Sequence, residues 1–253
     1  MSQAAADNPP TSSVRRTLGK LPDAAFGCLE LPPIAVELIH GYQSLPDLTG
    51  MVSDALDLHG IEGAIGTSRL FPTLPGRRVV GPALTVLNRR RDDDVATAVK
   101  NRDNRLGDIE AHNLARAGDV LVVQGASGVS SMGGIAAAIA SRQGEAGLIV
   151  DGAVRDVESS RALGLPIWAR ELTPATGKWR LETVGINVEV TICGVRVRPG
   201  DLVAADANGV CFIPYRALAD VLSTAQAIAA DEERRQQLIA AGTPLPALTP
   251  RRA

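Results

Sequence analysis

Three apolar runs, each broken or bounded by glycine, constrain this chain more than anything else in it: RRVVGPALTVLNR (77–89), GDVLVVQG (118–125) and GLIVDGAV (147–154). They are short and rich in β-branched residues, as buried strands are. Between the last two lies SMGGIAAAIASRQG (131–144), which reads as a helix opened by small residues and stopped at Gly144. Strand, helix and strand in under 40 residues imply a parallel pair joined by a right-handed crossover. The fold class expected is therefore α/β.

The rest of the chain adds to that unit. Residues 34–41 and 48–59 have helical patterns, the second with Asp54 and Asp57 on its polar side. IWARELT (167–173), VEVTICGVRVRPGDLVAAD (188–206) and GVCFIP (209–214) are β-branched and punctuated by Gly-Val and Pro-Gly turns, so the second half is expected to be β-rich. Pro214 precedes an Ala-rich helix of about 215–241, ended by Gly242. Residues 1–20 are Ser-, Pro- and Ala-rich and are expected to form a disordered extension. Residues 21–253 are expected to form a single domain, with a Pro-rich tail (GTPLPALTPRRA) frayed or laid along a neighbour.

Composition excludes several classes. With 26 Lys+Arg against 28 Asp+Glu, the chain lacks the basic excess of a nucleic-acid-binding protein. No run approaches the roughly 20 apolar residues of a membrane helix, and the N-terminus lacks the apolar stretch of a secretion signal, so a cytoplasmic protein is expected. Cys28, Cys193 and Cys211 are too scattered for a disulfide framework or a zinc site and read as buried thiols. Only Lys20, Lys100 and Lys178 are lysines, and of these only Lys178 suits a Schiff base.

Two segments could carry chemistry. The loop Gln124–Gly134 leaves a parallel strand and enters a helix, so its backbone N–H groups could hold a carboxylate or phosphate at the positive end of the helix dipole; it could equally be an ordinary turn. It matches neither GxGxxG nor a P-loop. At the carboxyl end of the next strand, Arg155 could grip a carboxylate or enolate oxygen and Asp156 a hard divalent cation, or the two could be an exposed ion pair. Adjacent βα connections would set the two segments side by side. His40, His59 and His112 lack metal-ligand spacing, and Ser127, Ser130 and Ser131 lack a nucleophile elbow. Arg89–Arg91 followed by Asp92–Asp94 reads as a solvated, charge-compensated turn. Asp231, Glu232 and Glu233 lie on the C-terminal helix.

GDVLVVQG, MGGIAAAIASRQGEAGLIVDGAVRD and GVRVRPGDLVAADANGVCFIP occur in order, and from about Leu48 to Gly242 the chain resembles the RraA-like family. That family holds the class II 4-hydroxy-4-methyl-2-oxoglutarate and 4-carboxy-4-hydroxy-2-oxoadipate aldolases and the RraA regulators of ribonuclease E. The resemblance implies a swivelling β/β/α-type fold, a homotrimer or hexamer, and sites between subunits. It implies that Gly133, Gly134, Ile135 and Ala136 hold the substrate carboxylate, that Arg155 binds substrate in catalysis, and that Asp156 binds Mg²⁺ or Mn²⁺. Glu233 or Glu232 of a neighbouring subunit would complete the metal's surroundings. Two positions depart from the aldolases: Gly134 stands where they carry an acid, and Ser159 where a further carboxylate lies, with Glu158 one place early. Residues 100–115 look like an insertion near the site.

The expected activity is a metal-dependent carbon–carbon lyase that cleaves a 4-hydroxy-2-oxo acid to pyruvate, with oxaloacetate decarboxylation as a side activity. The alternatives are another oxo- or hydroxy-acid lyase or hydratase on the same site, and a non-catalytic regulator that binds ribonuclease E.

Overall fold

The computed structural model describes residues 17–248; residues 1–16 of the expected extension, and the tail beyond 248, lie outside them. In chain order the helices are α1 (Val36–Gln43), α2 (Leu48–Leu58), α3 (Val95–Lys100), α4 (Asp108–Leu114), α5 (Gly134–Gln143), α6 (Val157–Ala162), α7 (Leu218–Ala240) and α8 (Leu245–Leu248). The strands are β1 (Ala64–Gly66), β2 (Phe71–Pro72), β3 (Val79–Arg90), β4 (Val120–Gln124), β5 (Gly147–Val154), β6 (Ile167–Leu172), β7 (Leu181–Ile186), β8 (Val190–Ile192), β9 (Val195–Val197), β10 (Leu202–Asp206) and β11 (Gly209–Ile213).

Nine strands form one mixed sheet in the order β1-β11-β10-β3-β4-β5-β6-β2, with β7 also on β3; β8 and β9 make a separate hairpin. The expected parallel unit is there: β3, β4, β5 and β6 run parallel, with Val122 opposite Ile149 across β4 and β5. α5 is their crossover, and Gly144 ends it in the left-handed conformation (φ 75°) that costs glycine nothing. The second half is β-rich, and α7 is the long C-terminal helix, entered through a turn of 3₁₀ helix at Tyr215–Ala217.

Two apolar layers flank the sheet. On one, α5 packs its alanines against Leu121, Val123, Leu148 and Val150. On the other, α2 and α7 bury Leu48, Val52, Leu56, Val221 and Ala225 against β10 and β11. Between them Trp168 is wholly buried, its Nε1 donating to the Asp206 carbonyl at 2.9 Å, so the one polar atom of the ring is satisfied. Asp206 in turn accepts from both the N–H and the hydroxyl of Thr49 in the first turn of α2.

Four expectations need correction. The Arg89–Asp94 run is not a solvated turn throughout. The Arg91 side chain is 1% exposed, paired with Asp93 and with Asp103 and donating to the Asp103 carbonyl, while Asp94 caps α3 through the Thr97 N–H. A guanidinium can be buried there because its donors find carboxylate and carbonyl acceptors. The expected extension does not stay free up to residue 20: buried Glu110 accepts from the N–H groups of Leu18 and Lys20. Cys28 is exposed, unlike Cys193 and Cys211. The tail begins with a helical turn at Leu245–Leu248 rather than fraying at once.

Candidate active site

The strand ends set the site. After β4 the chain turns back through Ser130, whose N–H donates to the Ala175 carbonyl, and Ser131, whose N–H donates to the Ala153 carbonyl. The Arg155 N–H donates to the Met132 carbonyl at 3.2 Å. These bonds bind the glycine-rich turn to the end of β5, so Gly133–Ala136 and Arg155–Asp156 meet as expected. They line one pocket of about 250 Å³, at the carboxyl ends of the parallel strands.

Within it, Gly134 N–H donates to Asp156 Oδ2 at 3.0 Å, and Arg155 Nε lies 3.4 Å from the same oxygen. The first N–H of α5 is thus taken by the protein's own carboxylate. Ile135 and Ala136, the next two residues of the first turn, have N–H groups with no acceptor within the helix, and these remain for an anionic ligand. Asp156 has φ 55°, a conformation that Asp and Asn tolerate best among side-chain-bearing residues, and this turns its carboxylate back over the α5 terminus. Arg155 and Asp156 are each partly exposed, at 38% and 46%, so both can meet a ligand.

The pocket also takes residues that the motifs did not mark. Lys178, singled out only as a lysine of the right kind, lines it beside Thr176 and Gly177. A β-carbon on Gly177 would come 2.2 Å from the Ser130 carbonyl oxygen, so only glycine lets this loop lie against the turn. Asn104, Leu106, Asp108 and Ile109 form another wall, and these belong to the apparent insertion. Gly107 N–H donates to Thr183 Oγ1 on β7 at 2.7 Å, and Thr183 N–H to the Arg105 carbonyl at 3.0 Å; together with the Arg91–Asp103 pair, these bonds fix that wall. An insertion has no motif, so only its position near the site hinted at a role.

Other candidates lie elsewhere. Glu158 pairs with Arg161 on the exposed face of α6, and Glu232 and Glu233 sit on α7, which packs on α1 and α2 away from the pocket. His112 is buried with its Nδ1 2.7 Å from Glu145 Oε1; His40 and His59 do not line the pocket. The two departures from the aldolase pattern prove to be neighbours: a β-carbon on Gly134 would lie 3.1 Å from Ser159 Oγ. Among the described residues no three His, Cys, Asp or Glu side chains cluster as metal ligands. The half-exposed Asp156 carboxylate is instead the kind of donor that suits a hard cation keeping most of its waters. Among the same residues no helix is long and apolar enough to cross a membrane.

Comparison with known proteins bears on the family and the fold. A Halalkalibacterium halodurans protein with the provisional name 4-hydroxy-4-methyl-2-oxoglutarate aldolase is 36% identical over 206 residues, covering 81% of this chain and 89% of its own. A crystal structure of an uncharacterized Pseudomonas syringae protein superposes with a TM-score of 0.72 at 26% identity, over 86% of this chain and 99% of its own. The Streptomyces coelicolor protein RraAS2, described as an unusual member of the RNase ES inhibitor RraA family, gives 0.66 at 26% identity, over 82% and 99%. Residues 49–212 match the family described as Aldolase/RraA, and the chain belongs to this RraA-like family.

Proposed function

We propose that this protein is a divalent-metal-dependent lyase that splits the carbon–carbon bond of a 4-hydroxy-2-oxo acid to give pyruvate, and that it decarboxylates oxaloacetate through the same enolate. The observation that carries the reading is the convergence of Arg155, Asp156 and the α5 N-terminus in one pocket at the strand ends. The Ile135 and Ala136 N–H groups would hold the carboxylate of the 2-oxo acid. Arg155 would donate to the 2-oxo oxygen, favouring the enolate more than the ketone because charge develops there in the transition state. Asp156 would hold Mg²⁺ or Mn²⁺, which supplies further positive charge at that oxygen when bound. No lysine is consumed. Glu232 and Glu233, remote from the pocket of their own chain, would reach a site only from a neighbouring copy in a trimer or hexamer.

A related reading keeps the site and changes the reaction. Gly134 and Ser159, adjacent and without a carboxylate, leave fewer acids than the aldolase pattern implies, which favours a different oxo- or hydroxy-acid lyase or a hydratase. The deciding experiment measures pyruvate release from oxaloacetate and 4-hydroxy-4-methyl-2-oxoglutarate with Mg²⁺, Mn²⁺ or EDTA, for wild type and Asp156→Ala. Metal-dependent release lost in the variant is expected. Silence on both acids would discard the proposed cleavage and leave the related reading, and a ribonuclease E pull-down surviving Asp156→Ala would instead assign a regulator.

A further inference from the structure

Retro-aldol cleavage needs a base for the substrate's C4 hydroxyl, and we infer that Asp108 is that base; the inference rests on the lyase reading above. Asp108 lies at the start of α4 and lines the pocket with Arg155 and Asp156. An acid in the first turn of a helix is favoured by the dipole alone. That accounts for its residue type but not for its place in the pocket wall.

The other titratable groups there are already committed or of the wrong kind. Asp156 Oδ2 accepts from Gly134 N–H and faces Arg155. Lys178 and Arg155 carry donors only in their charged forms. No histidine lines the pocket, and His112, on the same helix as Asp108, is buried against Glu145. Asp108 has no hydrogen bond or ion pair to its side chain among the described residues, and it is half-buried. Its backbone is nonetheless held, because the preceding Gly107 is tied to Thr183 and Leu106 N–H donates to Asn104 Oδ1. A free carboxylate on a fixed support, in a pocket with a cation for the enolate, is what general-base catalysis requires.

The step balances without any further reagent. The Asp108 carboxylate takes the C4 hydroxyl proton as the C3–C4 bond breaks. C4 becomes a carbonyl, and the bonding pair forms the C2–C3 enolate, whose oxygen Arg155 stabilises. Asp108 gives the proton to solvent, and C3 takes one back from water. Oxaloacetate decarboxylation reaches the same enolate by losing carbon dioxide and has no hydroxyl to deprotonate.

That difference supplies the test. Cleavage of 4-hydroxy-4-methyl-2-oxoglutarate and decarboxylation of oxaloacetate are measured side by side for wild type, Asp108→Asn, Asp108→Ser and Asp108→Glu, with thermal melts of each. In the Asn and Ser variants, kcat for cleavage is expected to fall by about 10²-fold or more, decarboxylation by less than about threefold, and Glu is expected to restore part of the cleavage. Equal losses in both reactions would mark Asp108 as structural, and no loss in either would mark it as idle; both overturn the inference while leaving the lyase reading standing. A wild type inactive on both acids overturns the lyase reading and this inference with it.

Discussion

Gly134 N–H donates to Asp156 Oδ2 at 3.0 Å, joining residues 22 positions apart. The bond ties the first turn of α5 to the carboxylate at the end of β5, and it sets which backbone donors a substrate can still use. It also makes Asp156 both a structural acceptor and the half-exposed acid of the pocket.

These two roles separate in substitution. Asn tolerates the left-handed backbone of residue 156 and keeps an oxygen for Gly134 N–H, whereas Ala loses both. Asp156→Asn is expected to melt within about 2 °C of wild type, and Asp156→Ala to lose about 1 kcal/mol to backbone strain. Both should lose metal-dependent pyruvate release. Calorimetry and a pyruvate assay on the same preparations check this.

Gly134→Asp would place a second carboxylate beside Asp156, with its β-carbon 3.1 Å from Ser159 Oγ and 3.5 Å from Asp156 Cβ. Tighter Mn²⁺ binding, by roughly tenfold, is expected from the added acid, together with lower stability in EDTA from like-charge repulsion. Ser159→Gly in the same chain relieves the crowding, so the two changes should couple rather than add. Calorimetric titration with Mn²⁺ measures both effects.

Removing Arg91 leaves Asp93 without its ion pair, Asp103 with Arg105 alone, and the Asp103 carbonyl without its donor. Arg91→Met is expected to lower the melting temperature by roughly 5 °C. Because Arg91 also anchors the wall that carries Asn104 and Asp108, the variant should raise KM for any substrate of the pocket.

The same pair shapes the acid limb of stability. Hydrogen bonding from Arg91 holds Asp93 below its ordinary value, Arg105 and Arg91 do the same for Asp103, and Ser127 with the Gly128 N–H does so for Glu171. Folded values below unfolded ones mean stability that is complete above the ordinary carboxylate range and is lost as pH falls through the folded values. Unfolding monitored from pH 6 to pH 2 should show this loss beginning near pH 4, with a shallower limb in Arg91→Met.

The cysteines should divide by exposure. Burial pushes the Cys211 thiol up to about 12 and, with Asp151, the Cys193 thiol up to about 11, whereas Cys28 lies at the surface. One thiol per chain is expected to react with an aromatic disulfide reagent in the native protein and three in denaturant. A Cys28→Ser variant should be unreactive until unfolded.

The sequence by itself determined the parallel unit, the long C-terminal helix and the meeting of Gly133–Ala136 with Arg155–Asp156, because periodicity, bounding glycines and the right-handed crossover act within some 40 residues. It also carried the motifs that mark the family. Only the tertiary structure decided which other side chains join the pocket. Asp108 and Lys178 arrive through Thr183 on Gly107 and Ser130 on Gly177, contacts made across 76 and 47 positions by groups that carry no periodic signal. The buried state of Arg91 was hidden for the same reason: a charged run looks alike in solvent and in a wall until the acceptors of Asp103 fold against it. Tertiary geometry also gave the Gly134 N–H to Asp156, leaving Ile135 and Ala136 as the open end of the helix.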